Sequence, residues 1–186
     1  MKELIEGKSV AVVGNAESLF GGDQHGEKID SHDTVCRFNI GADESKLNEK
    51  YQGLKTDIAL FNVYNYLADR CRTDSYIVHV SNKDRHLAGR ELGPPDFWMP
   101  IESNNEIAKL CDVERPSSGL MALHYISKCK PKNVAIFGFD FKATKTYYHD
   151  DRHGPGFIRR RPHDYDKEKR YVLDVFLKNE NWAWVK

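Results

Sequence analysis

An α/β fold with a mostly parallel central sheet flanked by helices is what the sequence predicts. Three observations carry it: the apolar runs are short and rich in β-branched residues, polar stretches of helical period separate them, and 186 residues suit one domain, 1–186, with a real core. The strands expected are SVAVVG (9–14), TVCRFN (34–39), TDIALFN (56–62), YIVHV (76–80) and NVAIFGF (133–139). Helices are expected over 63–72, 84–91, 104–110, 118–128 and 165–178, where Leu, Ile, Ala or aromatic residues recur at helical spacing. GPPDFWMP (93–100) reads as a rigid extended connection, because each proline biases its predecessor away from helix. Residues 142–162, KATKTYYHDDRHGPGFIRRRP, have no convincing period and are long for a connection, which marks a functional lid or a loose piece.

Composition narrows the function classes. With 40% hydrophobic and 30% charged residues balanced at net zero, the chain is an ordinary globular protein. Nothing in its bulk charge suits a nucleic-acid binder, and Arg159, Arg160 and Arg161 alone are weak support for one. No apolar run reaches the ~18 residues of a membrane span. MKELIEGKSVAVVG runs straight into a strand without the apolar core of a signal peptide, so a cytoplasmic location is expected. Cys36, Cys71, Cys111 and Cys129 lack CxxC spacing, which predicts reduced and mostly buried thiols rather than a zinc site.

In an open parallel sheet, ligands sit beyond the carboxyl ends of the strands, where helix N-termini present free N–H groups. The segment after the first strand, Asn15 to Gly22, carries neither GxGxxG nor GxxxxGK[ST], so a dinucleotide or P-loop site is poorly supported. Three strands finish with an asparagine at or just past the end: Asn15, Asn39 and Asn62. Asn is a common turn former because it tolerates left-handed backbone. Its amide also offers donors and an acceptor that suit a nucleobase edge or a ribose hydroxyl. Ser117-Ser118-Gly119 opens the 118–128 helix, and one serine is enough for a cap. The other serine, with Gly119 removing side-chain bulk, would let a phosphate or ribose approach the helix end.

Histidines divide by setting. His79 and His124 lie in apolar strand and helix patterns and read as structural. His149 and His153 flank Asp150 and Asp151, but the glycines and prolines beyond argue against a helix, no third imidazole is obvious, and no metal is expected. His163 follows Pro162 and precedes a helix whose first turn holds Asp164, Asp166 and Glu168, a place that can hold an imidazole rigid beside carboxylates.

Taken in order, these pieces resemble the sialylmotifs of glycosyltransferase family 29, the animal-type sialyltransferases. VAVVGNAESLFGGDQHGEKIDSHDTVCRFN resembles the large motif, with Ile29, Asp30, His32, Arg37, Phe38 and Asn39 at its Ile-Asp-x-His and Arg-Phe-Asn elements. RPSSGLMALHYISKCKPKNVAIFGFDF resembles the small motif, YYHD (147–150) the third, and HDYDKE (163–168) the His-x4-Glu very small motif. The resemblance implies a variant of the single-domain, Rossmann-like nucleotide-sugar glycosyltransferase fold. It implies donor binding by Asn15, Asn39, Asn62, Ser117, Ser118 and Gly119, a phosphate contact at Tyr147 aided by His149, and His163 as catalytic base. It further implies a CMP-sugar donor carrying sialic acid or the related keto-sugar Kdo, a glycan or glycolipid acceptor, inversion, and no metal or other cofactor. A CMP-binding module without catalysis is the alternative. The family's large motif opens on a cysteine bridged to the small-motif cysteine; here these positions are Val10 and Cys129, so that bridge cannot form. With no anchor or stem seen, a short soluble prokaryotic or viral version is expected.

Overall fold

The structure is a computed structural model that describes residues 1–62, 74–80, 95–141, 143 and 163–185. In chain order its elements are β1 (Ser9–Val13), α1 (Gly26–Asp30), β2 (Thr34–Phe38), α2 (Glu49–Gln52), β3 (Ile58–Phe61), β4 (Tyr76–His79), β5 (Phe97–Trp98), α3 (Ile101–Leu110), α4 (Ser118–Lys128), β6 (Asn133–Phe137), α5 (Tyr165–Tyr171) and β7 (Trp182–Val185). The seven strands form one sheet in the order β5-β4-β3-β2-β1-β6-β7. All six pairings are parallel, with Val10 opposite both Thr34 and Val134. Parallel strands are covered on both faces, which is why β2 and β3 are buried along their whole length.

The two faces follow the strand period of two. Val10, Val12, Cys36, Ile58, Leu60, Val134 and Ile136 share one core with Ile107 of α3, with Leu120, Leu123 and Ile126 of α4, and with Val172 and Phe176 beyond α5. Ala11, Val13, Val35 and Phe137 alternate with them and pack on Leu19 and Ile29. Free, buried Cys36, Cys111 and Cys129 sit among these residues; Cys71 lies outside the described ones. No helix among the described residues is long and apolar enough to cross a membrane.

Five predicted strands are present, each ending one or two residues early. At those ends the chain turns: Asn39 has φ 50° and Gly138 φ 60°. The helix expected at 104 begins at Ile101, directly after Pro100. The helix expected to 178 is α-helical only to Tyr171 and widens into a π-turn over Val172–Phe176. Residues 97 and 98, expected to be a plain connection, pair with β4 as an edge strand, a place that tolerates preceding prolines. β7, α1 and α2 were not expected. The helices expected at 63–72 and 84–91 lie outside the described residues.

Candidate active site

Strand order reverses at β1: the chain steps to β2 through β5 on one side and returns to β6 and β7 on the other. A crevice opens at the carboxyl end of such a switch point. Here Gly14 and Gly138 meet across it, so closely that a Cβ on Gly14 would lie 2.4 Å from the Gly138 carbonyl oxygen. Beyond them lies a cavity of about 270 Å³. Its walls are the ends of β1, β2, β3 and β6, the N-terminus of α4, and the chain entering α5.

Asn15, Asn39 and Asn62 line one wall together. Their placement is tied to backbone. Asn15 donates from Nδ2 to the Phe38 carbonyl at 3.0 Å, and Asn39 Oδ1 accepts from the Asn62 N–H at 3.1 Å. The wall stands on a fully buried Arg37, which donates from Nε to the Lys55 carbonyl at 2.9 Å and from Nη2 to that of Gln52 at 2.7 Å. Asp30, 3.9 Å from that guanidinium, accepts the backbone N–H groups of Leu54 and Lys55. The Asp and Arg of the large motif thus brace the turn that launches β3, and Asn39 and Asn62 reach the cavity because of it.

The opposite wall is the N-terminus of α4. Ser117 caps the helix, its Oγ accepting the Leu120 N–H at 3.2 Å. The same hydroxyl donates to Glu168 Oε2 at 2.5 Å, while the Ser117 N–H donates to Oε1 at 2.7 Å. Ser117 is therefore committed within the protein, and Ser118 is the serine with no side-chain hydrogen bond among the described residues. Gly119 lines the cavity beside the two serines, and protein also stands close above its Cα, since a Cβ there would lie 2.7 Å from Phe139 Cε1. The Phe139 ring, edge-on to Phe38 at 5.8 Å, fills the gap between Gly14 and Gly119.

Glu168 stood in the sequence as a first-turn carboxylate beside His163 and as the end of a motif, with no role of its own, yet it is the buried carboxylate of the site, 1% exposed and lining the cavity. Burial pushes its carboxyl up to about 7 against the two bonds from Ser117, which pull it down; Asp164 adds to the rise. Beside it, Lys167 turns away to Asp112, donating to its carboxylate at 2.6 Å and its carbonyl at 2.8 Å. That contact holds the Asp112 carboxyl down and the Lys167 ammonium up. Burial lifts the Cys111 thiol to about 11 in the same corner.

His163 lies at the cavity rim, 5.6 Å from the Tyr165 ring. Its Nδ1 is 2.9 Å from the Arg115 carbonyl oxygen. A carbonyl only accepts, so Nδ1 carries the proton and Nε2 is the basic nitrogen. His79 and His124 do not line the cavity; both are buried, His79 against Trp98 at 4.4 Å and His124 at 3.6 Å from Glu106. Tyr147, His149 and His153 lie outside the described residues. Among the described residues no group of three His, Cys, Asp or Glu side chains is placed to hold a metal ion.

No family model matches this sequence, and no curated protein does. Solved structures do match by shape. A mammalian sialyltransferase in complex with Gal-beta-1-3GalNAc-ortho-nitrophenol superposes with a TM-score of 0.68 at 18% identity, over 100% of this chain and 71% of that one. The sialyltransferase CstII from Campylobacter jejuni, in complex with the substrate analogue CMP-3FNeuAc, superposes with a TM-score of 0.55 at 15% identity, over 91% and 79%. The chain has the fold that these sialyltransferases share.

Proposed function

We propose that this chain belongs to the sialyltransferase family and is a single catalytic domain that transfers a sialic acid, or a keto-sugar such as Kdo, from a CMP donor to a glycan hydroxyl. One observation carries the reading: Asn15, Asn39, Asn62, Ser118 and His163, spread over nearly 150 residues, converge on one cavity at the switch point of a sialyltransferase fold. The asparagine amides meet the cytidine and its ribose. The α4 N-terminus, with Ser118, faces the phosphate that accumulates charge as it leaves.

A phosphate departing from a ketosidic carbon leaves an oxocarbenium-like centre, and the acceptor hydroxyl attacks from the opposite face with inversion. His163 Nε2 takes the hydroxyl proton, held in the right tautomer by the Arg115 carbonyl. Tyr147 and His149 complete the phosphate contacts in this reading. A single-phosphate leaving group asks for little metal help, and the sequence has no DxD in a loop directly after a strand. Turnover is therefore expected to survive EDTA; loss of activity restored by manganese or magnesium overturns the metal-free part.

The deciding assay measures CMP released from CMP-Neu5Ac and CMP-Kdo over a panel of glycan acceptors. In His163→Ala, transfer falls at least ~10²-fold, the lower end expected for a lost general base, while cytidine nucleotide affinity stays near the parent value. A folded His163→Ala that transfers at the parent rate removes His163 from the mechanism. Parent protein that binds CMP and turns over no donor is the non-catalytic module.

A further inference from the structure

Glu168 presents an unusual arrangement for a site read as holding an anion. Its carboxylate is buried, lines the cavity, and takes both of its hydrogen bonds from one residue, Ser117. No cation pairs with it among the described residues, because the neighbouring Lys167 is spent on Asp112. A second negative charge brought into the same cavity would face an unneutralised carboxylate at short range in a low-dielectric setting, which favours the protonated form.

We propose that an anionic ligand enters this cavity together with one proton, taken from solvent by Glu168, and that protonation turns the Ser117 hydroxyl from Glu168 toward the ligand. The inference rests on the functional reading above for the identity of the ligand, a cytidine phosphodiester.

The hydrogen-bond inventory allows the switch without moving the chain. In the ionised state Oε1 accepts the Ser117 N–H and Oε2 accepts the Ser117 hydroxyl. In the protonated state Oε1 keeps the N–H bond, and the new Oε2–H donates to Ser117 Oγ. That oxygen already accepts the Leu120 N–H, so both its lone pairs are then in use and its own proton is released toward the cavity. One solvent proton has become one more donor aimed at the ligand.

The surrounding charges support this. From the end of α3, Cys111 and Asp112 face the corner; from the start of α5, Asp164 and Lys167; at the rim, His163; and after β6, Asp140 lines the same cavity. Lys167 is paired with Asp112, Ser117 at the start of α4 gives Glu168 both of its hydrogen bonds, and Asp164 disfavours ionisation of Glu168. Burial, with Asp164 adding to it, already holds the carboxyl at about 7 against the Ser117 bonds, so a bound anion has only to carry it upward.

The test uses the methyl ester of CMP, whose one negative charge does not titrate near neutrality, with uncharged cytidine as control. Titration calorimetry at pH 7.5 in buffers of different ionisation enthalpy counts protons. If the anion adds about one pKa unit, the parent protein takes up about half a proton with the ester and none with cytidine, and ester affinity falls roughly sixfold from pH 6.5 to 8.5. Glu168→Gln, which imitates the protonated acid, binds the ester without uptake and with a flat pH profile, whereas His163→Ala retains the uptake. In the parent protein, the carbon-13 shift of the Glu168 carboxyl titrates with a midpoint that rises when the ester saturates the site. Ester binding without proton uptake, uptake that persists in Glu168→Gln or vanishes in His163→Ala, or a midpoint that does not rise overturns the proposal. Failure of both ester and cytidine to bind overturns the cytidine reading itself, and the inference with it.

Discussion

The two walls of the cavity are built from different physics. The asparagine wall hangs on backbone bonds and a guanidinium: Asn15 to Phe38, Asn39 to Asn62, and Arg37 to Gln52 and Lys55. None of those groups changes charge between pH 5 and 9. The helix wall hangs on Glu168, a carboxyl held at about 7 that ties Ser117 to α5. One side of the site is a fixed template and the other changes its donors with protonation. A nucleoside needs shape and constant donors, whereas a group that gains charge during reaction benefits from a wall that can respond.

The largest effect should come from breaking the fixed wall. Arg37→Met removes a fully buried guanidinium and strands two carbonyls and Asp30. Leaving the Lys55 and Gln52 carbonyls without their donor, and the partly exposed Asp30 without its cation, costs about 4 kcal/mol, read as a lower urea midpoint. Because a guanidinium stays charged throughout, the loss is the same at pH 6 and pH 8.5. A loss that varies with pH would place a titrating group in this wall.

Next in size is the helix wall, and its sign is reversed. An unfolded chain ionises the Glu168 carboxyl near 4.5, while the folded chain holds it to about 7. Between those values the folded protein binds more protons than the unfolded one, so stability falls as pH rises through that window and the cost is complete above it. The shift corresponds to about 3 kcal/mol. Glu168→Gln removes the ionisation, so the variant should be more stable than the parent by about that amount at pH 8.5 and nearly equal to it at pH 4.5. A variant less stable at pH 8.5 would show that the ionised bonds to Ser117 outweigh the cost of burying the charge.

The sheet was legible because buried parallel strands are continuous β-branched runs, and SVAVV, TVCRF and NVAIF are such runs. α4 was legible to the residue, since Ser117 is a strong cap. β7 was missed because WAWV (182–185) is a four-residue run at the sheet edge, too short to stand out until it pairs with β6. The start of α3 did carry a signal, Pro100 just before it, outweighed by the polar run that follows. The asparagines and His163 stood out because strand ends and helix entries are where a parallel sheet places ligands. Glu168 did not, because its partner lies 51 residues away. Nothing local marks an acid at helical spacing as the tie between two helices.

The smallest effect separates two reasons for one glycine. If Gly119 exists to let a ligand near the helix end, Gly119→Ala lowers ligand affinity and leaves stability alone. If it exists to seat Phe139, the new methyl meets Cε1 at 2.7 Å and the ring must move, against the modest helix-propensity gain of Ala over Gly. The second reading makes the penalty depend on the ring. Trimming it by Phe139→Leu opens the space, so a double-mutant cycle should show Gly119→Ala costing about 1 kcal/mol beside Phe139 and much less beside leucine. A coupling near zero would return Gly119 to the ligand. A coupling of this size assigns it to the packing of β6 against α4, with Phe139 as the piece of the fixed template that reaches across to the responsive wall.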